Sequence, residues 1–484
     1  MSFNSLSFAA FFPIVAAVYF ILPQKVKNIW LLAAGYFLYA SWDSNYALIL
    51  FAVSLVTYAG GRLLEKKRHR GALALVIVLT LLPLLVFKYL DFFIRNINIV
   101  TSRAGLVIED PWELILPVGI SFYTFQALGY VIDVYKKKIS AQKNAVEFFL
   151  FVSFFPLLLS GPIERAGSLL PQFRKKHVFN ADRILRGFLL MLWGFFLKMV
   201  ISDRLSVYVN AVFDEYKKYN GVYVILAIIF FSLQIYCDFA GYSNMARGCA
   251  EIMGFDIVQN FRQSYLATSV ADFWRRWHIS LTSWFRDYIY IPLGGNRKGT
   301  VRKYINILLV FAISGLWHGA SWNFVFWGVI NGAFQVVGGL LNPLRNKAVA
   351  ALGIDRRSFG HRCFKTVCTF IPVAFAWTFF KAPSFMTGMR MIREAFRYNP
   401  WVLFDKSLYA LGLNELEFSI MLIGLLVFLA ADIINENGIV IRDFVKKQEL
   451  WFRWLFYIIG IVSVVIFGVY GPGYDAADFI YFKF

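Results

Sequence analysis

The chain has 484 residues, of which 59% are hydrophobic, 19% aromatic and only 16% charged. Its mean hydropathy of +0.59 and its 52 phenylalanines exclude an ordinary water-soluble domain, which carries more charge and fewer aromatic side chains. The net charge of +20 does not indicate nucleic-acid binding in such a chain, because cytoplasmic loops of membrane proteins are rich in Lys and Arg.

Twelve apolar segments approach the length of about 20 residues that a helix needs to cross a bilayer. Because these segments recur through the whole chain, the sequence predicts one all-α, polytopic membrane domain over residues 1–484, with about 11–12 transmembrane helices. The predicted spans are residues 7–22, 28–43, 45–62, 71–93, 114–135, 183–201, 221–239, 303–318, 320–340, 364–382, 416–434 and 453–470.

Charged loops predict the orientation of these spans. No Lys or Arg precedes the first span, whereas PQKVKN follows it, EKKRHR (65–70) follows the third and YKKK (135–138) ends the fifth. The loop SRAGLVIEDPWE (102–113) leans acidic and is expected outside. Because basic loops stay in the cytoplasm, both termini are expected on the external side of a bacterial cytoplasmic membrane.

The apolar run VEFFLFVSFFPLLLSGPIE (146–164) does not fit this alternation. Basic clusters flank it on both sides, and Pro156 and the Ser160-Gly161-Pro162 triplet interrupt helical hydrogen bonding. Broken backbone at membrane depth is tolerated where it is buried in protein or lines a cavity. The sequence therefore predicts a re-entrant segment that enters and leaves on the cytoplasmic face.

The segment 255–302 differs from the spans around it because aromatic residues alternate there with seven cations. Such a mixture predicts amphipathic helices that lie in the cytoplasmic interface rather than a further crossing. The cations are Arg262, Arg275, Arg276, Arg286, Arg297, Lys298 and Arg302.

The stretch SGLWHGASWNF (314–324) places one of only five histidines, His318, between two long apolar runs. If the span 303–318 continues through it, Ser314, His318 and Trp322 share one helical face. Gly315 and Gly319 would remove side-chain bulk beside the imidazole, so that a substrate could approach it. The glycines could instead bring two helices together around a hydrogen-bonded histidine. An ionisable residue inside the membrane nevertheless favours a functional role.

A second histidine, His278, lies in DFWRRWHISLTSWFRDY (272–288) among arginines and tryptophans. This composition is typical of an anchor in the membrane interface. Guanidinium groups also bind phosphates, and indoles offer a stacking surface, so an anionic ligand that carries an aromatic group is the alternative. PLGGNRKG (292–299) could add free backbone N–H groups. The candidate ligand-binding residues are Trp274, Arg275, Arg276, Trp277, Arg286, Arg297 and Lys298.

The stretch QIYCDFAGYSNMARG (234–248) is more polar than a lipid-facing helix. Asp238 and Arg247 could simply neutralise each other, or the polar side chains could line a cavity. The candidates for lining a cavity are Gln234, Asp238, Asn244 and, from the preceding motif, Ser314.

The cysteine pattern does not predict a metal site. The four cysteines form no CxxC pair, and the spacing of His361, Cys363 and Cys368 is a weak signal for zinc. No metal cofactor is therefore expected.

Five of these stretches follow one another in a fixed order. They are LPVGISFYTFQALGYVIDVY (116–135), FFPLLLSGPIER (154–165), YCDFAGYSNMARG (236–248), DFWRRWHISLTSWFRDYIYIPLGG (272–295) and SGLWHGASWNFVFWG (314–328). Together they resemble the membrane-bound O-acyltransferases, and most closely the bacterial alginate O-acetyltransferase branch. The final residues, DFIYFKF, are similar to that branch as well.

The resemblance implies helices around a tunnel that links a cytoplasmic donor to an external acceptor. It implies that His318 is catalytic and that His278 is required on the cytoplasmic side. One imidazole can take the proton of a hydroxyl and return it to a departing thiolate. The implied co-substrate is acetyl-CoA, and the implied acceptor is a cell-surface polysaccharide, reached directly or through an extracytoplasmic SGNH-type acetyltransferase partner.

Two alternatives remain open at this stage. The first is D-alanyl transfer to teichoic acid from a carrier protein, which is a similar branch, although the spans after His318 make this chain longer than expected for it. The second is a transporter that uses the same cavity. Transporters often show repeats and paired broken helices, whereas this sequence has one broken segment and no clear repeat.

Overall fold

The structure, a computed structural model, describes residues 1–109, 114–470, 474 and 479–480. Residues 110–113 of the acidic loop lie outside the described part, as do all residues of the terminal DFIYFKF except Phe479 and Ile480. The described residues form helices joined by turns and loops, with no strand among them. Each of the twelve predicted spans falls on a helix, so the prediction of an all-α architecture is confirmed.

Within the described residues, nine helical segments are long and apolar enough to cross a membrane. The other three predicted spans form shorter helices of 16, 17 and 16 residues. The chain is therefore a multi-pass membrane protein.

The chain divides into two compact units, of which the first comprises residues 1–191, 245–258 and 476–484. Helix α6 is buried along nearly its whole length in this unit and packs against α3 and α4. Gly61 makes the contact with α3 possible, since a Cβ there would lie 2.6 Å from the ring of Tyr130. The helices of this unit are α1 (Leu6–Ile21), α2 (Gln24–Ala40), α3 (Ser44–Lys66), α4 (Arg70–Leu84), α5 (Leu90–Thr101), α6 (Ile120–Tyr135), α7 (Ala145–Ser153), α8 (Phe155–Leu158), α9 (Ala166–Leu169) and the first part of α10 (Ala181–Phe195).

The apolar run 146–164 is interrupted, as predicted. Helix α7 ends at Ser153, the single turn α8 follows, and residues 159–165 are not helical. Gly35 of α2 lies so close that a Cβ would be 2.3 Å from the Ser153 carbonyl oxygen, so the broken backbone is packed inside protein. The membrane face from which the segment enters stays a prediction.

The second unit comprises residues 192–244 and 259–475. A π-helical turn, Phe196–Ser202, joins α10 to α11, and it packs against α20 and α22. Short helices replace a crossing in the segment 255–302. The helices are the end of α10, α11 (Asp203–Asp214), α12 (Val222–Met253, whose C-terminal end belongs to the first unit), α13 (Val270–Arg276), α14 (Ile279–Phe285), α15 (Gly299–His318), α16 (Trp322–Leu340), α17 (Asn342–Ala351), α18 (Phe359–Lys381), α19 (Phe385–Ala395), α20 (Glu415–Glu436), α21 (Ile441–Lys446) and α22 (Leu450–Phe467).

The basic loops on both sides of the broken segment are expected to face the cytoplasm. In a chain whose exposed Cys363 and Cys368 are replaced by serine, Lys137→Cys and Lys175→Cys should resist a membrane-impermeant thiol reagent in whole cells and react after the cells are opened. Ser102→Cys is the matched external control, because residue 102 is exposed and lies in the loop expected outside. Labelling of position 137 or 175 in whole cells would show that the re-entrant topology is wrong.

Candidate active site

His318 is the last residue of α15. Gly319 and Ser321 adopt extended backbone, with ψ angles of 146° and 155°, and α16 begins at Trp322. The prediction that Ser314, His318 and Trp322 share one helical face is therefore wrong, and the Trp322 side chain is 66% exposed at the start of the next helix. Glycine is a poor helix former and serine is favoured just before a helix, so the sequence HGAS ends one helix and starts another.

Gly315 and Gly319 allow α15 and α16 to pack closely. A Cβ on Gly315 would lie 2.1 Å from the carbonyl oxygen of Phe324, and a Cβ on Gly319 would lie 2.2 Å from the Phe324 ring. Gly328 makes the same contact from the opposite helix, where a Cβ would lie 2.1 Å from the carbonyl oxygen of Phe311. The helix-packing interpretation of the two glycines is confirmed, because Phe324 fills the space that the other interpretation gave to a substrate.

Aromatic rings surround the imidazole of His318, which is 4% exposed. Its ring centroid lies 4.9 Å from that of Trp317, 5.0 Å from Trp327 and 5.5 Å from Phe380, each in an edge-to-face arrangement. We call these three rings the His318 cage. Because the cage holds the imidazole away from bulk water, hydrogen bonds and charges that form beside it are less screened than at a surface.

His278 occupies a strained corner between α13 and α14. Its backbone is left-handed, with φ 44° and ψ 55°, a region that costs a residue other than glycine about 1–2 kcal/mol. Asn260, which is fully buried, fixes this corner: its carbonyl oxygen accepts from the Ile279 N–H at 2.9 Å and its Oδ1 accepts from the Ser280 N–H at 3.2 Å. Strain that the surroundings maintain in this way is concentrated at functional sites.

The imidazole of His278 is buried against rings from other elements. It lies 4.7 Å from Phe239 of α12 and is 1% exposed. Burial lowers the pKa of His278 from 6.5 to about 3, so the side chain is neutral at physiological pH. The unfolded chain binds a proton on this imidazole below pH 6.5, whereas the folded chain binds it only near pH 3. Protonation therefore favours the unfolded chain, and the free energy of unfolding falls as the pH decreases from 6.5 towards 3.

Trp317 lies between the two histidines. Its ring centroid is 6.2 Å from that of His278 and 4.9 Å from that of His318. The two imidazoles are thus separated by no more than these two distances together, although 40 residues separate them in the chain. The structure brings both predicted histidines into one aromatic cluster.

Comparison with known proteins identifies the family. The model of the membrane-bound O-acyltransferase family matches residues 136–375, which include both histidines. The "Probable alginate O-acetylase AlgI" of Pseudomonas putida is 34% identical over 398 residues, which cover 81% of this chain and 79% of the relative. The chain belongs to the membrane-bound O-acyltransferase family.

Two further relatives in the comparison carry other names. The peptidoglycan O-acetyltransferase of Helicobacter pylori is 31% identical over 79% of this chain and 77% of its own length. The teichoic acid D-alanyltransferase of Bacillus subtilis is 26% identical over 58% of this chain and 72% of its own length. All are acyltransferases by name, so the prediction that the chain is an acyltransferase is confirmed.

The arginines predicted to bind a donor lie beside carboxylates in this membrane-bound O-acyltransferase. Arg276 is nearly buried and contacts Glu436 of α20 at 2.7 and 3.0 Å and Asp272 at 3.1 Å. Arg275 is mostly exposed and contacts Asp272 at 3.4 Å. Arg276 therefore links α13 to α20, and its pairing with Glu436 could not be predicted from the sequence. Arg286 is exposed and contacts Asp287 at 2.9 Å, and Arg297 and Lys298 are exposed on the following turn.

Trp274 and Trp277, the two tryptophans of the predicted ligand site, lie within the aromatic cluster. Trp274 contacts Phe311 and Trp327, at 5.2 and 5.8 Å between centroids, and is 7% exposed. Trp277 contacts Trp377 at 5.1 Å and is 1% exposed. In this structure these indoles pack on neighbouring rings of the protein.

Asp238 belongs to a buried ionic cluster that sequence reasoning missed. The Nζ of Lys198 lies 2.8 Å from Asp238 and 2.9 Å from Asp203, and these two side chains are 1% and 11% exposed while that of Lys198 is 2% exposed. The Tyr474 hydroxyl donates to Asp203 at 2.9 Å.

The suggested pairing of Asp238 with Arg247 is wrong, because residues nine apart lie on opposite faces of a continuous helix. Lys198 was visible in the sequence as a lone cation within the apolar run FFLKMVIS.

The other cavity candidates are polar groups in largely buried positions. Gln234 and Ser314 are 6% and 7% exposed, and Asn244 is half-buried. The Oε1 of Gln234 is buried without a hydrogen-bond partner among the described residues. Their role as cavity-lining residues stays a prediction. Across the part of the chain that the structure describes, no group of three or more His, Cys, Asp or Glu is placed to hold a metal ion.

Proposed function

We propose that this acyltransferase moves an acetyl group from cytoplasmic acetyl-CoA to an extracytoplasmic acceptor for the acetylation of a cell-surface polysaccharide. The observation that carries the proposal is the placement of His318, a buried imidazole at the end of a membrane-length helix and one aromatic ring away from His278. A buried base at this depth suits a reaction whose two substrates arrive from opposite faces of the membrane.

His318 acts as the general base in this proposal. Its imidazole takes the proton from the acceptor hydroxyl as the oxygen attacks the thioester carbonyl, and it returns that proton to the departing thiolate. A thiol of pKa about 8.5 leaves readily as its anion, so no covalent acyl-enzyme is required.

His278 and its neighbours form the donor end of the proposed site. Its left-handed backbone forms the corner between α13 and α14, and its proposed contribution is to shape the protein there. The exposed cations Arg275, Arg286, Arg297 and Lys298 are the groups proposed to meet the phosphates of the donor.

The names of the relatives point to a polysaccharide acceptor. They include alginate and peptidoglycan O-acetylation, and the P. putida relative covers 81% of the chain whereas the D-alanyltransferase covers 58%. Transfer is proposed to reach the polysaccharide directly or through an extracytoplasmic SGNH-type partner, from the bacterial cytoplasmic membrane.

The purified protein in nanodiscs is expected to consume acetyl-CoA. With the acetyl group radiolabelled, slow release of free coenzyme A should accelerate when oligomannuronate or a purified SGNH-type protein is added, and label should appear in an ester on that acceptor. Consumption of a D-alanyl carrier protein instead of acetyl-CoA would support teichoic acid modification. Intact donors together with movement of a solute across proteoliposomes would support a transporter.

A further inference from the structure

Trp274 and Trp327, near His318, have buried indole N–H groups that meet no hydrogen-bond acceptor among the described residues. Their side chains are 7% and 1% exposed. An indole nitrogen can only donate, and a buried donor that lacks an acceptor loses the hydrogen bond that it makes with water in the unfolded chain. Each such group in a native structure needs an explanation, and a bound substrate is one.

Trp327 is the member of this group that touches the proposed base. Its ring centroid lies 5.0 Å from that of His318, with an angle of 86° between the planes. Trp274 and Trp377 contact Trp327, at 5.8 and 5.4 Å, and their described ring contacts do not include His318. The Trp327 indole therefore packs edge to face on the imidazole, whereas the Trp274 and Trp377 indoles lie one ring further away.

Packing holds the Trp327 ring in place. Trp377 stacks on it with an interplanar angle of 26°, and Trp274 meets it edge to face. Helix α16 is fixed at its start by Asn323, whose Nδ2 donates to the carbonyl oxygens of Phe379 and Ala382. A donor that is already oriented before the reaction needs no reorganisation when charge develops next to it.

We infer that the indole N–H of Trp327 donates a hydrogen bond to the thioester carbonyl oxygen as that oxygen becomes negatively charged. This inference rests on the proposed function. The acceptor oxygen forms a bond to the carbonyl carbon, its proton passes to His318, and the π electrons move onto the carbonyl oxygen. The C=O bond then re-forms, the C–S bond breaks, and the thiolate takes the proton from His318. Trp327 keeps its own proton throughout and stabilises the oxyanion.

This role predicts an effect on turnover rather than on binding. A neutral carbonyl oxygen accepts a weaker hydrogen bond than an oxyanion, so the interaction is stronger in the transition state than in the ground state. Loss of the donor should therefore lower kcat and leave the apparent affinity for acetyl-CoA unchanged.

The test is one chemical change at two positions. Trp327→Phe is expected to lower kcat for acetyl transfer by roughly 10²–10³-fold, the usual effect of removing one oxyanion donor. Trp377→Phe removes an indole N–H from the ring stacked on Trp327 and should keep kcat close to that of the parent protein. An equal loss of kcat in both variants would overturn the inference, because it would show that the cluster needs indole volume rather than the Trp327 donor.

A shape-preserving variant separates the N–H from the packing of the ring. Incorporation of 3-benzothienylalanine at position 327 replaces the N–H by sulfur in a ring of similar size, and kcat should fall as in Trp327→Phe, even where the phenylalanine variant does not fold. Full kcat in the benzothienyl variant would overturn the inference while leaving acetyl transfer itself established. A folded parent protein that does not react with acetyl-CoA would instead overturn the proposed function, and the role of Trp327 with it.

Discussion

Replacing His318 by glutamine is expected to abolish nearly all acetyl transfer, with a fall in single-turnover rate of roughly 10²–10⁴-fold, the usual contribution of a general base. An amide can donate and accept hydrogen bonds in the His318 cage, but it cannot take a proton at neutral pH. The variant should still bind acetyl-CoA, because the cations proposed to meet its phosphates lie on a different segment. The measurement is single-turnover transfer and donor affinity in nanodiscs, after the helical content of each variant has been checked.

His278→Ala is the matched comparison for this prediction. Its imidazole touches Phe239 and Trp317, and its backbone shapes the corner next to the proposed donor cations. The variant should therefore change the apparent donor affinity more than His318→Ala does. The neutrality of His278 also means that a pH dependence of turnover between pH 5 and 8 should be the same in His278→Ala as in the parent protein.

Substantial turnover by His318→Gln would end the proposal of a general base. His318 would then position the substrate, and the proton would have to leave by another route. Loss of donor binding in His318→Gln would contradict the separation of roles between the two histidines, since it would place the donor at the His318 cage itself.

The fold was accessible from the sequence because the signal is local and repeated. An apolar run of about 20 residues has few alternatives to a helix in a membrane, and each of the twelve predicted spans is helical. The broken segment was also readable, since Pro156 and Gly161 interrupt hydrogen bonding whatever surrounds them. These features depend on residues that are neighbours in the chain.

The candidate site was only partly accessible, because its geometry depends on contacts between distant segments. The position of His278 and His318 in sequence motifs identified both, but not the single ring of Trp317 between them. The prediction that one helix continues through Trp322 was wrong, because the apolar periodicity carries across a tight turn between two packed helices. The two interpretations of Gly315 and Gly319 stayed open for a related reason: only the partner helix shows what fills the space beside them.

The ionic cluster is the clearest case of a feature that depends on which distant residues meet in the folded protein. Lys198 and Asp238 are each visible in the sequence as charges among apolar residues, but nothing there pairs them with each other or with Asp203, and the π-helical turn that presents Lys198 has no sequence pattern of its own. Gly241 permits the contact, since a Cβ there would lie 3.3 Å from the Cβ of Lys198 and 2.9 Å from the carbonyl oxygen of Gly194. Helix α12 thus approaches the π-helical turn where the ammonium and the Asp238 carboxylate meet.

Lys198→Met is expected to be the most destabilising single change in this cluster. It removes the ammonium that lies within 2.9 Å of two buried carboxylates, and removal of one partner from a buried ion pair typically costs about 3–5 kcal/mol. The measurement is the free energy of unfolding in mixed detergent micelles, from titration with a denaturing detergent. The variant is expected to lose stability because Asp238, which is 1% exposed, cannot replace the missing ammonium by water.

Asp203→Asn is the matched control, because it removes one charge from the same cluster without isolating another. Lys198 and Asp238 then still form a pair of one positive and one negative charge, and the new amide oxygen can accept from the Tyr474 hydroxyl. The free energy of unfolding should therefore stay close to that of the parent protein. A triple variant, Lys198→Met with Asp203→Asn and Asp238→Leu, should recover most of the loss, since apolar replacement of a whole buried ionic cluster is often neutral. If Lys198→Met unfolds at the same denaturant concentration as the parent, the two carboxyls hold protons in the folded protein and need no ammonium beside them.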